Sequence, residues 1–302
     1  MAGSVRIRLP SPAGAGHVIG PTLAPARTGE PRRLGLLLGL ALLGLIVFLS
    51  IAAPWLSGAD PTFESIEGLS PLGEPLDAGA GGYVLGTDPK GRDLLARLLF
   101  GGRTTLITAA TAVAIATVAG LVVGLLAANS RRFFGEVLMR FTDLGLAIPG
   151  LLLAAAIATI LGRGVPSLII GLAAVFWAPI ARVTFGQAVV LREREYVEAA
   201  RVQGAGSVTV LRRHIFPHVL PIVGAYAALS VGWAVLFESA LGFLGAGVPE
   251  PESSLGSMLG CCLVYYRAHP GLILFPALYL GLFVAAANLV GESLRPRDEG
   301  GR

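Results

Sequence analysis

EYVEAARVQGAGSVTVLRRHIFP, residues 195–217, is a polar and charged stretch set between two long apolar runs. Residues 196–203 have the length of about two helical turns, and Arg194 and Glu198 stand at the spacing of a modest intrahelical ion pair. Ala199 and Ala200 carry almost no side chain, so the backbone of another protein can approach closely there. Gly204-Ala205-Gly206 suits a left-handed helix end, and Ser207 is placed to cap the turn that follows. The stretch therefore predicts a bent helix–turn–helix projecting from a membrane. The same residues also fit an amphipathic helix resting on lipid headgroups, a placement that Arg201, Arg212 and Arg213 favour.

The chain on either side is that of a membrane protein. Hydrophobic residues make up 54% of it and charged residues 14%, where a soluble domain carries about 25% charge. Segments near 34–56, 104–128, 137–161, 165–189, 218–243 and 271–291 are each long enough to cross a bilayer core, which needs roughly 20 apolar residues. The third carries Arg140 and Asp143, and the fourth is apolar only over 165–181. With the N-terminus inside, sixteen Lys and Arg fall in cytoplasmic parts and six outside, a bias that places both termini and the 195–217 stretch in the cytoplasm. The predicted organisation is a tail rich in Pro, Gly and Arg over 1–33, disordered by composition, an uncleaved first span at 34–56, an outer loop at 57–103, five further spans over 104–292 with a cytoplasmic segment at 192–217, and a tail at 293–302. The net charge of +4 is accounted for by that inside bias, and no basic stripe interleaved with aromatics points to nucleic acid.

Motifs outside the stretch narrow the reading. In the outer loop, LGTDPKGRDLLARLLFGGR contains Gly86, Thr87, Asp88, Gly91, Arg92 and Asp93. Asp88 followed by Pro89 reads as a helix start, with Lys90 and Arg92 close to Asp93. Further on stand FESALGFLGAGVPEPESSLGSML and NLVGESLR. Glu198-Ala199-Ala200, Gly204 and Pro217 resemble the EAA loop of ABC importer permeases, and the other motifs resemble the permeases of dipeptide, oligopeptide and nickel importers, the C-type subunit in particular. The likeness runs from about residue 34 to 296. Ala240 and Gly242 depart from the commoner EASLSFLG pattern, and the tail after Leu294 is short for the family.

The resemblance implies an all-α membrane protein of six transmembrane helices with a type I ABC importer permease (MetI-like) core. It implies an ATPase-coupling segment comprising Tyr196, Glu198, Ala199, Ala200, Gly204, Ala205, Gly206 and Pro217. It also implies a homologous second permease, two cytoplasmic ATPase subunits that hold ATP and Mg, an extracytoplasmic substrate-binding protein, surrounding lipid, and residence in a bacterial cytoplasmic (inner) membrane. No cofactor is expected on this chain. The cargo class is di- or oligopeptides, with nickel chelates, glutathione and opine-like compounds inside the family's range.

Asp143 and Glu238 are the ionisable residues inside predicted spans and so the candidates for a pore or gate. Asp143 pairs in this reading with Arg140 near the cytoplasmic face, and Glu238 lies towards the outer end of its span, within reach of water. The alternative function, a stand-alone ion-coupled carrier or channel, would use the same two groups. Gly120 and Gly124 form a GxxxG pair suited to close helix contact, and Pro149, Pro179 and Pro276 are candidate kinks. Cys261 and Cys262 are adjacent and offer no metal spacing. The sequence contains no GxxxxGK[ST], HExxH, CxxC or GxSxG, so no enzymatic chemistry is legible in it.

Overall fold

A computed structural model describes residues 30–294, and the expectations for the two terminal tails fall largely outside these residues. Ten α-helices follow in order: α1 Glu30–Leu56, α2 Leu94–Asn129, α3 Arg132–Ala147, α4 Gly150–Leu161, α5 Val165–Arg192, α6 Glu195–Val202, α7 Ser207–Val210, α8 Phe216–Phe243, α9 Leu255–Cys262 and α10 Gly271–Leu294. The described residues contain no strand, only two isolated bridges in the outer loop.

Five helices are long and apolar enough to cross a bilayer, and the bent pair α3–α4 makes a sixth crossing if counted as one. α7, a widened π-type turn at Leu211–Ile215 and α8 run on as a single helix, Ser207–Phe243. Leu37, Phe48, Val118, Phe141, Leu152 and Leu278 stand exposed around these helices, the surface expected of a chain solvated by lipid rather than water.

The centre of the bundle is the contact between α2 and α5, with α4, α8 and α10 packed around it. Small residues permit that contact. A Cβ on Gly120 would stand 2.7 Å from Ile180 Cγ2, and one on Gly124 would stand 2.6 Å from the Ala181 carbonyl oxygen. The GxxxG pair is thus the seat of α5 on α2. Ala109, Ala112, Val113 and Ala116 of α2, Leu168, Leu172 and Ile180 of α5, Val235 and Leu241 of α8 and Phe283 of α10 fill the interior.

The predicted third span, 137–161, is not one helix. α3 and α4 meet at 87°. Pro149 has no amide to continue the ladder, and it drives Ile148 to an extended conformation (φ −86°, ψ 129°). Pro179 and Pro276, by contrast, lie within continuous helices. α2 also begins at Leu94, ten residues before the predicted span. Its 36 residues measure about 54 Å at 1.5 Å per residue, so it extends beyond a hydrocarbon core of about 30 Å into the outer layer of the molecule.

That outer layer is held by one cluster of charges. Asp88 does not cap a helix as its sequence position suggests. It closes a turn, accepting from the amides of Lys90 (2.9 Å) and Arg92 (3.0 Å), and its carboxylate pairs with Arg92 Nε at 2.6 Å and Arg97 Nε at 3.1 Å. All three side chains are buried. Gly91, at φ +72°, turns the chain back, and Asp93 becomes the cap of α2, accepting from Leu95 (2.8 Å) and Ala96 (3.4 Å). Glu250, from the loop before α9, accepts from Arg92 Nη2 at 3.2 Å and from Lys90. The Lys90 ammonium, then the Arg92 guanidinium, hold the Glu250 carboxyl below the usual range. Thr87 donates to the Gly68 carbonyl (2.6 Å), so the motif Gly86 to Asp93 ties the outer loop to both α2 and the α8–α9 connection.

Candidate functional site

The stretch after α5 folds as a small helical hairpin. Arg192, at the end of α5, donates to the carbonyl of Ala128 at the end of α2, so two long helices are joined where the hairpin begins. Arg194 stands at the N-cap of α6 with extended backbone (φ −74°, ψ 141°). Its extended backbone points its side chain away from the helical face, and among the described residues the predicted Arg194–Glu198 ion pair does not form. Instead its carbonyl accepts from the amides of Val197 (2.9 Å) and Glu198 (3.1 Å).

The end of α6 follows the sequence closely. Gly204 takes φ +89°, and two bonds close the helix: Gly204 N–H to the Arg201 carbonyl (2.9 Å) and Ala205 N–H to the Ala200 carbonyl (3.0 Å). This is the paired bonding of a Schellman end, with glycine at the left-handed position. Ser207 does not cap the next turn. Gly206 occupies the N-cap and Ser207 is the first helical residue.

The hairpin touches the bundle through few residues. Val197 is 0% exposed, and Val210 and Ile215 are also buried in the core. Almost everything between faces out: Glu198, Ala199, Gly204 and Gly206 are exposed, Ala200 and Ala205 half-buried. Val202 and Val208 are 85% and 73% exposed, so apolar side chains are presented beside small ones. A Cβ built on Gly204 or Gly206 meets no atom of the described residues within 4 Å. Tyr196 is partly exposed and sits 6.2 Å and 5.9 Å from the rings of His214 and His218. Pro217 lies in the first turn of α8, directly after the widened turn. A proline there supplies no amide and crowds the carbonyl four residues back, which a π-type turn relieves. The result is a protruding surface with a narrow rigid foot, suited to fill a groove on another protein.

The other candidates lie elsewhere. Asp143 pairs with Arg182 of α5, not with Arg140, so it joins two helices rather than two turns of one. Glu238 is not reached by solvent in this chain: it is 0% exposed and accepts from Thr105 Oγ1 at 2.9 Å. Thr105 Oγ1 in turn accepts from the Leu255 amide at 3.2 Å, so Glu238 joins α8 to α2 and α9. The departure at Gly242 serves the same region, since a Cβ there would stand 2.8 Å from the Ser257 amide. Arg182 and the Arg97 side chain were not singled out in the sequence. Arg182 pairs with a residue of another helix and Arg97 with one of the preceding loop, and no helical spacing signals either pair.

A membrane bundle of five long helices and one bent pair, with a small-residue hairpin protruding between the fourth and fifth crossings, defines an importer permease. Residues 120–297 match the family described as binding-protein-dependent transport system inner membrane component. The chain belongs to that family and is a multi-pass permease subunit of a binding-protein-dependent ABC importer. Among its relatives, the di/tripeptide transport system permease protein DppC of Pseudomonas aeruginosa is 37% identical over 261 residues, covering 86% of each chain. The oligopeptide transport system permease protein OppC of Haemophilus influenzae is 32% identical over 263 residues, 86% of this chain and 83% of that one. A solved structure of the MetNI methionine ABC transporter, in an inward-facing conformation, superposes with a TM-score of 0.56 at 20% identity, covering 65% of this chain and 93% of the other. That likeness is one of fold.

Proposed function

We propose that this chain is the C-type permease of a di- or oligopeptide importer in a bacterial cytoplasmic membrane, with both termini in the cytoplasm. It works beside a homologous second permease, two cytoplasmic ATPase subunits and an extracytoplasmic binding protein. ATP and Mg reside on the ATPases, and this chain holds no cofactor. The names of its relatives support the peptide cargo, and the excess of Lys and Arg on one side supports the orientation.

The observation that carries the reading is the hairpin of α6 and α7. Glu198, Ala199, Ala200, Gly204, Ala205 and Gly206 form a protruding surface of small and polar residues on a foot of three buried side chains. An ATPase groove that closes over it moves α5 and α8 directly, because the hairpin is continuous with both. The Arg192 bond to Ala128 passes the motion to α2. The bundle then swings between inward- and outward-facing states, and cargo released by the binding protein crosses.

The test is partner identification. Native membranes are crosslinked, the tagged chain is purified, and stoichiometric companions are identified by mass spectrometry. A homologous permease and ATPase subunits are expected. Recovery of the chain only with itself, under efficient crosslinking, overturns the reading.

A further inference from the structure

Two neighbouring cavities lie beside α3 and α5, and an ion pair between these helices lines one of them. The first, about 520 Å³, lies where the break between α3 and α4 faces the middle of α5 and α8. Phe176, Tyr226, Trp233 and Phe237 line it with Ser230, and no charged residue does. At the break, the carbonyls of residues 145–147 and the amides of Ile148, Gly150, Leu151 and Leu152 have no hydrogen-bond partner among the described residues. Open backbone within a bilayer is tolerated where it lines a cavity that water or a solute can enter. The wall thus offers aromatic faces and backbone polar groups together, which suits a neutral or apolar side chain joined to a peptide unit.

The second cavity, about 540 Å³, lies on the cytoplasmic side. Arg132, Arg140, Arg182 and Arg192 line it against Glu136 and Asp143, leaving an excess of two positive charges. Arg132 is bonded to Glu136 at 3.0 Å, and Arg182 to Asp143. The charged side chains of α3 line an open cavity: Arg132, Glu136 and Arg140 are exposed, as are Phe133, Val137 and Phe141.

The two cavities adjoin. Pro179 belongs to the first and Arg182 to the second, one turn apart on α5. Leu146 and Asp143 stand in the same relation on α3. The Arg182–Asp143 pair lines the second cavity, one helical turn from the wall of the first.

Resting on the peptide-importer reading above, we propose that these cavities are successive stations of one passage, with the Arg182–Asp143 pair in the second, and that Arg182 receives the cargo's carboxylate. The upper station takes side chain and backbone. The lower, cationic station draws the carboxylate, which competes with Asp143 for Arg182. Arg182 and Asp143 are 44% and 38% exposed in their side chains, so both can change partner without unpacking the core.

The two partners of the pair then have opposite effects. The probe is a free-acid dipeptide containing photo-leucine, presented by the binding protein to the complete importer in liposomes with ATP and illuminated during uptake. In the wild type, adducts are expected at the aromatic residues of the upper station and along the lower one. Arg182→Gln should lower both uptake and lower-station adducts at least tenfold, with partial recovery in Arg182→Lys. Asp143→Asn, which removes the competitor, should raise lower-station adducts at least threefold. Falls of the same sign for both variants mark a merely structural ion pair and overturn the proposal, as do adducts confined to other surfaces in a wild type that takes the probe up. A wild-type importer that hydrolyses ATP but takes up no dipeptide refutes the peptide cargo itself, and the station assignment with it.

Discussion

Gly204 allows the strain of a turn to be separated from the bulk of a docking surface. Its φ of +89° lies where an L side chain costs about 1–2 kcal/mol, which lowers the population of the capped hairpin by a factor of about 5–30. No atom of the described residues lies within 4 Å of a Cβ built there, so substitution adds no clash with them. Three variants divide the two effects. Strain ranks them Asn below Ala and Arg, because asparagine tolerates the left-handed region. Bulk ranks them Ala, Asn, Arg. With a partner seated on the turn, Gly204→Ala should retain part of ATP-driven uptake, and Gly204→Arg should abolish it while the protein stays inserted and abundant. The assay is uptake into vesicles, normalised to membrane level, with co-purification of the ATPase measured beside it. Uptake by Gly204→Arg equal to that of Gly204→Ala means that only the backbone matters and nothing covers the turn. Uptake at the wild-type rate removes the coupling assignment altogether.

Other expectations follow from the packing. Asp88→Asn leaves Arg92 and Arg97 buried without their carboxylate, and should cost about 3–5 kcal/mol, read as a loss of thermal stability in detergent. Thr105→Val strands the Glu238 carboxylate and the Leu255 amide, at about 1–3 kcal/mol, and an unchanged melting temperature would deny that bond a role. Gly120→Val drives a side chain into Ile180 and should destabilise by about 1–3 kcal/mol, whereas an equal change at the open Gly186 should not. Because its partners hold Glu250 below its ordinary value of 4.5, its contribution is complete above that pH and is lost as pH falls through the lower, folded value. A thermal scan from pH 7 to pH 3 should show this loss in the wild type and not in Glu250→Gln.

What could be read from sequence was local or compositional. Gly204 announces its turn because few other residues tolerate a positive φ there, and the long apolar runs announce the bundle. Pro149 was legible as a candidate kink, but the 87° size of the bend was not, because hydropathy measures length and polarity, not direction. Asp88 stands before a proline suited to a first helical position, and Asp93 before the good helix formers Leu94, Leu95 and Ala96. The choice between them is made by the turn at Gly91 and by Arg97, one helical turn inside α2, neither of which a capping pattern registers. Asp143 was assigned the nearest cation along the helix, yet Arg182 lies across the bundle. Glu238 was placed near water by its depth in the span, while its burial depends on α9 folding back over it.

The seat of α5 on α2 is far from central. Gly120 and Gly124 lie about 10 Å from the Asn129 end of α2 and about 40 Å from its Leu94 end, at 1.5 Å per residue. A stiff helix rocking on that seat is an unequal balance beam with an arm ratio of about four. A push of about 2 Å beside the Arg192–Ala128 bond would sweep the charged cluster at the far end through about 8 Å, so a modest closure below becomes a wide mouth above.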